Sequence, residues 1–239
     1  MKAMLFAAGV GSRLKELSAS KPKALVEIAG QPMIAVVIER LKNFGVSHLV
    51  INLHHFPEQI KDCFRKRDNF GLKIDFSEES VLLDTGGGLK FARRFFQKDE
   101  TFLIHNCDIY SEVDYADLLK LHQASEALAT LAVKKRKSER GVLVDQNGYF
   151  VGWKGSDGPI LALGKEAAES IPFCGIHFAN YNIFDYMPFD KDKFSILEAY
   201  KNAVSAGERV LTYDIGDKYW IDVGTPEKVE ELSNYLALR

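Results

Sequence analysis

The chain has 239 residues, 46% of them hydrophobic and 27% charged, with a formal net charge of −2 and a pI near 6.3. A chain of this size can bury a full core without disulfide or metal staples. Its near-neutral charge supplies no global field for nucleic acid or a membrane surface, so any anion recognition must be local. The three cysteines, Cys63, Cys107 and Cys174, are widely spaced and form no C-x-x-C pair, the pattern of reduced thiols. The opening "MKAMLFAAG" is too short for a secretion signal, and no apolar run reaches the length of a membrane span. A cytoplasmic protein without nucleic-acid or membrane partners is expected.

In chain order, Lys2 to Phe6 reads as a buried strand. Pro32 to Phe44 has the helical period, with Ile34, Val37, Ile38, Leu41 and Phe44 on one face and Pro32 suited to a first turn. "HLVINL" (His48 to Leu53) is a strand and "PEQIKDCFRKR" (Pro57 to Arg67) a polar amphipathic helix. "LKIDFS" (Leu72 to Ser77) alternates like a strand, and a helix is expected to open from glycines over Gly87 to Phe96. "TFLIHNCD" (Thr101 to Asp108) is a strand ending in a carboxylate. Farther on, "DYADLLKLHQAS" is a helix, "ALATLAVKK" a strand, and Asn147-Gly148 the turn of a hairpin within "GVLVDQNGYFVGWK". "FCGIHFAN", "VLTYDI" and "YWIDV" are strands, and Ser195 to Ala206 is a helix closed by Gly207. "TPEKVEELSNYLAL" is a last helix, with Thr225 as N-cap and Pro226 at its first position. The β-α-β-α order with short connections predicts an α/β fold: a doubly wound, Rossmann-like, mostly parallel mixed sheet with helices on both faces. Ligands of such sheets bind beyond the carboxyl ends of the strands.

Chemistry concentrates at those ends. After the first strand come Gly9, Gly11 and Arg13, then Lys23. A phosphate-binding P-loop run is absent, and Leu14 stands where a dinucleotide fingerprint needs its third glycine. The connection from Ala8 to Lys23 is long for a compact α/β domain, the mark of a functional or a disordered segment, and its Gly-x-Gly-x-Arg start suggests a nucleotide-wrapping loop. Arg13 can fork onto phosphate oxygens and Lys23 can act as a point charge; two solvated surface cations are the plainer alternative. Asp108 and Asp222 both follow apolar strands, and two acids over one rim could share a Mg²⁺, although ordinary loop aspartates would look the same. Gly86 to Gly88 would suit either a nucleobase lying against the backbone or a tight helix packed on the sheet. The basic run Lys134 to Arg140 reads as a solvated loop that could close over an anion. His54-His55 lack a third partner at metal spacing and read as loop residues.

Taken together, Gly9-Val10-Gly11-Ser12-Arg13, Pro22-Lys23, "AGQPMI", Asp108 and Asp222-Val223-Gly224-Thr225 resemble the sugar nucleotidyltransferase family over nearly the whole chain. "DTGGG", "FCGI" and "YWIDVGT" look closest to the N-acetylmuramate 1-phosphate uridylyltransferase group, with the mannose-1-phosphate guanylyltransferases almost as similar. The resemblance implies one domain over 1–239, with a nucleotide-binding half to about 110, a smaller sugar-binding lobe over 111–222 and a closing helix at 225–238. It implies that Ala8, Gly9 and Gly11 hold base and ribose, that Thr85, Gly86 and Gly87 line the base pocket, and that Asn106 touches the nucleotide sugar. It implies Arg13 and Lys23 on the phosphates as catalytic residues, Mg²⁺ on Asp108 and Asp222, and Gly141 and Gly175 shaping the sugar pocket. The partners would be a nucleoside triphosphate and a sugar 1-phosphate, most simply UTP with an N-acetylmuramate-type or other hexose 1-phosphate. A mannose-1-phosphate guanylyltransferase or a phosphocholine-type cytidylyltransferase is the alternative. A dinucleotide-dependent oxidoreductase and a non-catalytic nucleotide sensor are the readings outside the class. Three positions depart from the pattern: Cys107 replaces a glycine, Lys15-Glu16-Leu17 a Pro-Leu pair, and Trp153-Lys154-Gly155 stands near the usual Glu-Lys-Pro.

Overall fold

The computed structural model describes residues 1–155 and 158–238, with the side chains of Lys15 and Glu16 outside the description. The chain begins with β1 (Lys2–Phe6), a 3₁₀ stretch over Ser12–Ser18 and a small ribbon of β2 (Glu27–Ile28) and β3 (Gln31–Pro32). There follow α1 (Met33–Phe44), β4 (His48–Leu53), α2 (Pro57–Arg65), β5 (Lys73–Glu78) and α3 (Asp84–Phe91). Next come β6 (Thr101–Asn106), β7 (Ile109–Ser111), α4 (Tyr115–Ser125) and β8 (Ala129–Val133). The later elements are β9 (Val142–Val144), β10 (Phe150–Gly155), β11 (Gly158–Leu161), β12 (Glu169–Ile171) and β13 (Phe173–Asn180). The chain then forms α5 (Ile196–Ser205), β14 (Val210–Asp214), β15 (Trp220–Asp222) and α6 (Pro226–Ala237). No described helix is long and apolar enough to cross a membrane.

Two compact units are present: Met1–Leu82 with His105–Glu112 and Tyr219–Arg239, and Leu83–Ile104 with Val113–Lys218. In the first, β1, β4 and β5 lie side by side and parallel, Leu5 opposite Ile51 and Ile51 opposite Phe76. β1 is buried along its whole length, as expected of a parallel strand covered on both faces. The apolar face of α1 puts Ile34, Val37, Ile38 and Leu41 into the core, and Gly45 ends the helix at φ 100°. In the second unit β8 pairs parallel with β14 and antiparallel with β13. A separate antiparallel ladder joins β11, β10, β9 and β12. Its β9–β10 turn forms at the expected Asn147-Gly148, with Asp145 Oδ1 accepting from the N–H groups of Asn147 and Tyr149 at 2.9 and 3.0 Å.

Several boundaries differ from the sequence reading. α3 starts at Asp84, so Gly86 to Gly88 lie within the helix, and the chain tightens into a 3₁₀ turn at Arg93–Phe95. Pro32 sits before α1 as its N-cap, and the strand ending near Asp108 stops at Asn106. Thr225 occupies the N-cap of α6 but its side chain makes no capping bond; its carbonyl accepts from Lys228 and Val229 instead.

Candidate active site

The first unit gathers four charged residues from distant stretches of sequence. β7 and β15 pair antiparallel, Ile109 opposite Asp222, and Val223 N–H donates to the Asp108 carbonyl at 2.8 Å. This ladder brings the two acids together, and Cys107 N–H donates to Phe6 O at 3.0 Å, fastening the Asp108 turn to the end of β1. Lys23 hydrogen-bonds Asp108 Oδ2, and its ammonium is 3.9 Å from Asp222 Oδ1. Arg13 stands 4.0 Å from Asp222 Oδ2 with an exposed side chain, whereas Lys23 is only 11% exposed. Arg13, Lys23, Asp108 and Asp222, the residues singled out from sequence for phosphate and metal, therefore form one cluster.

Glycines make the cluster possible. Gly11 has φ +72°, and a Cβ there would lie 3.0 Å from Lys23 Cβ, so the lysine stem runs across bare backbone. A Cβ on Gly224 would meet the Arg13 guanidinium at 2.8 Å and Asp222 Oδ1 at 2.9 Å. Sequence alone names Gly224 only as part of Asp222-Val223-Gly224-Thr225 and gives it no role of its own. The loop itself is pinned at both ends. Ala7 N–H donates to Asn52 Oδ1 at 2.8 Å, Asn52 donates to Glu79 at 2.7 Å, and Ser18 Oγ donates to Gly11 O at 2.9 Å. Leu14, where a dinucleotide fingerprint would need glycine, is a core anchor at 1% exposure. Between the pins, the N–H groups of Ala8, Gly9 and Val10 have no hydrogen-bond partner among the described residues. Free amides on a turn that follows a strand are anion-binding groups.

Asp222 Oδ1 is buried and accepts no hydrogen bond among the described residues, although Asp108 and Lys23 are close. An orphaned carboxylate oxygen beside a second carboxylate fits a hard divalent cation, which takes one or two protein carboxylates and fills its shell with phosphate oxygens and water. Among the described residues no group of three or more His, Cys, Asp or Glu is built as a metal cluster, so these two acids would be the protein's whole contribution. The neighbours are electrically quiet. Burial pushes the Cys107 thiol well up and lowers His105 to about 4, so both are neutral near pH 7. Asn106 closes β6 half-buried, its carbonyl 2.8 Å from His105 Nδ1.

The remaining expected site residues belong to the second unit. Thr85 Oγ1 accepts from Ile196 N–H at 3.0 Å, and Gly86 and Gly87 both donate to Phe194 O. A Cβ on Gly87 would come within 1.9 Å of Asp192 O, and one on Gly86 within 2.4 Å of the Phe194 ring. These glycines are thus required by protein packing against the segment before α5. Gly141 precedes β9 against Ser170 and Ile171, and Gly175 lies in β13 at φ +69°. A cleft of ≈ 820 Å³ is lined by Glu139, Arg140, Trp153, Lys154, Ile160 and Leu197, among others. The side chains of Arg140 and Lys154 have no ion pair or hydrogen bond among the described residues. The basic run is divided. Arg136 is a half-buried brace donating to Phe173 O at 2.8 Å and Pro172 O at 3.2 Å, Lys135 pairs with Glu169, and Arg140 lines the cleft. His54 and His55 are loop residues; His54 Nδ1 is 2.9 Å from Glu79 O and His55 packs on Phe56.

The chain is similar to known proteins over nearly its whole length. The chain is 31% identical over 234 residues to the mannose-1-phosphate guanylyltransferase catalytic subunit beta of Dictyostelium discoideum, covering 95% of this chain and 62% of that protein. It is 30% identical over 231 residues to a mannose-1-phosphate guanyltransferase of Yarrowia lipolytica, covering 95% and 61%. It therefore spans about three-fifths of the length of these relatives. Among solved structures, HddC from Yersinia pseudotuberculosis complexed with GMP-PN superposes with a TM-score of 0.78 at 22% identity, covering 98% of this chain and 99% of that one. UDP-glucose pyrophosphorylase from Acinetobacter baumanii gives 0.78 at 15% identity, covering 99% and 93%. The fold is the Rossmann-like, mixed and mostly parallel α/β architecture of these structures. With the nucleotidyl transferase family matched over residues 2–238, on a chain whose two strand-end acids meet its two loop cations, the chain belongs to that family.

Proposed function

We propose that the chain transfers a nucleoside monophosphate from a nucleoside triphosphate to a hexose 1-phosphate, releasing pyrophosphate. The observation behind this reading is the convergence of Arg13, Lys23, Asp108 and Asp222 beside the unpartnered amides of Ala8, Gly9 and Val10. GTP and mannose 1-phosphate are the first pair to try, since several of the relatives bear the name mannose-1-phosphate guanyltransferase. This favours the guanylyl and mannose alternative over the UTP and muramate pairing expected from sequence.

The acceptor's phosphate oxygen is largely ionised near pH 7, because the second pKa of a phosphate monoester is about 6. It attacks the α-phosphorus in line without a general base, and the buried, neutral His105 and Cys107 supply none. Arg13 and Lys23 offset phosphate charge and orient the leaving pyrophosphate; Ala8, Gly9 and Gly11 present backbone to base and ribose. Asp108 and Asp222 would hold Mg²⁺, which when bound supplies further neutralisation of the phosphate oxygens. Asn106 would reach the nucleotide sugar, and Thr85 to Gly87 would line the base pocket as part of its wall, their amides and the Thr85 hydroxyl being engaged within the protein. In the second unit, Gly141 and Gly175 shape a sugar pocket, and the cleft with Trp153, Arg140 and Lys154 takes the acceptor. The test is pyrophosphate release from GTP, UTP and CTP against mannose, glucose and muramate 1-phosphates with Mg²⁺. Release with one pair, lost in Asp222→Asn, supports the reading. Silence with every pair sinks it in favour of a nucleotide-binding protein without turnover.

A further inference from the structure

Lys23 is mostly withdrawn from solvent, and its ammonium lies between two carboxylates: bonded to Asp108 Oδ2 and 3.9 Å from the otherwise unpartnered Asp222 Oδ1. A divalent ion held by Asp108 and Asp222 would have to compete with this ammonium for their oxygens. We propose that Lys23 is the resting counter-ion of the carboxylate pair and is displaced from it when a divalent ion arrives with nucleotide, so that ion and triphosphate bind interdependently. This rests on the reading of Asp108 and Asp222 as a divalent-cation site.

The physical case has three steps. Two half-buried acids held together repel, and a lysine ammonium between them offsets that repulsion. The ammonium and a divalent ion are both positive and compete for the same oxygens, so one must leave when the other comes. Lysine can do this because its charge is a point on a flexible four-carbon stem, unlike the planar fork of arginine. A displaced Lys23, only 11% exposed, would be left with an unpaired charge at a poorly solvated position. The phosphates of a triphosphate give it a new partner; the metal ion alone does not. Ion binding without nucleotide therefore carries a penalty that nucleotide removes, and by linkage nucleotide binding without the ion is weakened to the same degree. Arg13 cannot replace Lys23 here, because its exposed guanidinium reaches only Asp222, at 4.0 Å.

The test uses Mn²⁺ as a spectroscopic stand-in, with binding followed by electron paramagnetic resonance and calorimetry on the full chain. A non-hydrolysable GTP analogue is present or absent, and Asp222→Asn gives the background from ion carried by the analogue alone. Wild-type protein is expected to bind Mn²⁺ weakly alone and roughly tenfold or more tightly with the analogue. Lys23→Met is expected to bind Mn²⁺ alone roughly tenfold more tightly than wild type, a gain from removing a cation that a simple phosphate ligand would not produce. Lys23→Arg keeps a positive charge at the site and is expected to leave Mn²⁺ binding weak. Equal Mn²⁺ affinity of wild-type protein with and without the analogue overturns the proposal, whether or not the methionine variant folds. An unchanged or weakened Mn²⁺ affinity in a folded Lys23→Met protein overturns it too, while leaving the metal site in place. Absence of Mn²⁺ binding in every protein, with or without the analogue, removes the metal site itself and the proposal with it.

Discussion

The two units handle charge in opposite ways. In the first, two acids and two bases stand together and pair through Lys23 and Asp108, with Asp222 Oδ1 left without a hydrogen bond and Lys23 nearly closed off from solvent. In the second, Arg140 and Lys154 line a broad cleft with no partner of their own among the described residues, beside Trp153 and apolar Ile160 and Leu197. A self-paired cluster holds its geometry before any ligand comes, which suits chemistry that depends on placement. Unpaired cations over an apolar floor gain a partner only when an anion arrives, which suits selection among substrates. The glycines divide similarly: Gly11 and Gly224 make room for charged side chains, Gly86 and Gly87 for neighbouring backbone and the Phe194 ring.

The sharpest way to break this contrast is to remove an acid from the cluster. Asp222→Asn or Asp108→Asn is expected to stay folded and lose about 10²–10³ in kcat, measured as pyrophosphate release. Full activity would take that residue out of the reaction. Next in size is Gly87→Ala, which forces a methyl against Asp192 O and is expected to cost roughly 2–3 kcal/mol, seen as a lower Tm. Gly9→Ala has open space around its Cβ and should leave Tm unchanged while raising KM for the nucleotide; a matching Tm loss would erase the distinction between ligand-facing and packing glycines. A smaller effect belongs to the cleft. Arg140→Ala or Lys154→Ala is expected to raise KM for the sugar 1-phosphate roughly tenfold with stability unaltered, as neither side chain has a partner to lose. Unchanged kinetics with several sugar phosphates would deny the cleft that role. The smallest effect concerns pH. His105 drops from 6.5 to about 4 through burial, so below pH 6.5 the unfolded chain takes a proton that the folded chain refuses. The stability present above pH 6.5 is thus lost as pH falls toward 4, by ~1 kcal/mol near pH 5.5 for this group. Urea midpoints at pH 7.5 and 5.5 should differ less in His105→Gln than in the wild type.

Much of the fold was legible because parallel strands covered on both faces read as unbroken apolar runs: β1, β4 and β8 are apolar or buried nearly throughout. The start of α3 was misplaced because glycines commonly mark helix ends. Here tertiary packing on Phe194 and Asp192 sets them inside the helix, at odds with their propensity. β11 and β12 escaped notice, being short and partly exposed. In the candidate site, residue types gave Arg13, Lys23, Asp108 and Asp222, but the pairing of β7 with β15 that joins the acids has no local signature. Nor does the role of Arg136, whose guanidinium turns inward to backbone carbonyls from the middle of a run that reads as a solvated loop.

The β7–β15 ladder also has a bearing on synthesis. Lys23 and Asp108 emerge from the ribosome long before Asp222, which comes on a strand much later in the sequence. A nascent chain that already displays the glycine loop and the first acid cannot assemble the second until Trp220–Asp222 zips onto Ile109–Ser111. Any chemistry that needs both acids would then wait until that strand has been made, and a chain terminated before Trp220 would lack the second acid without any separate inhibitor.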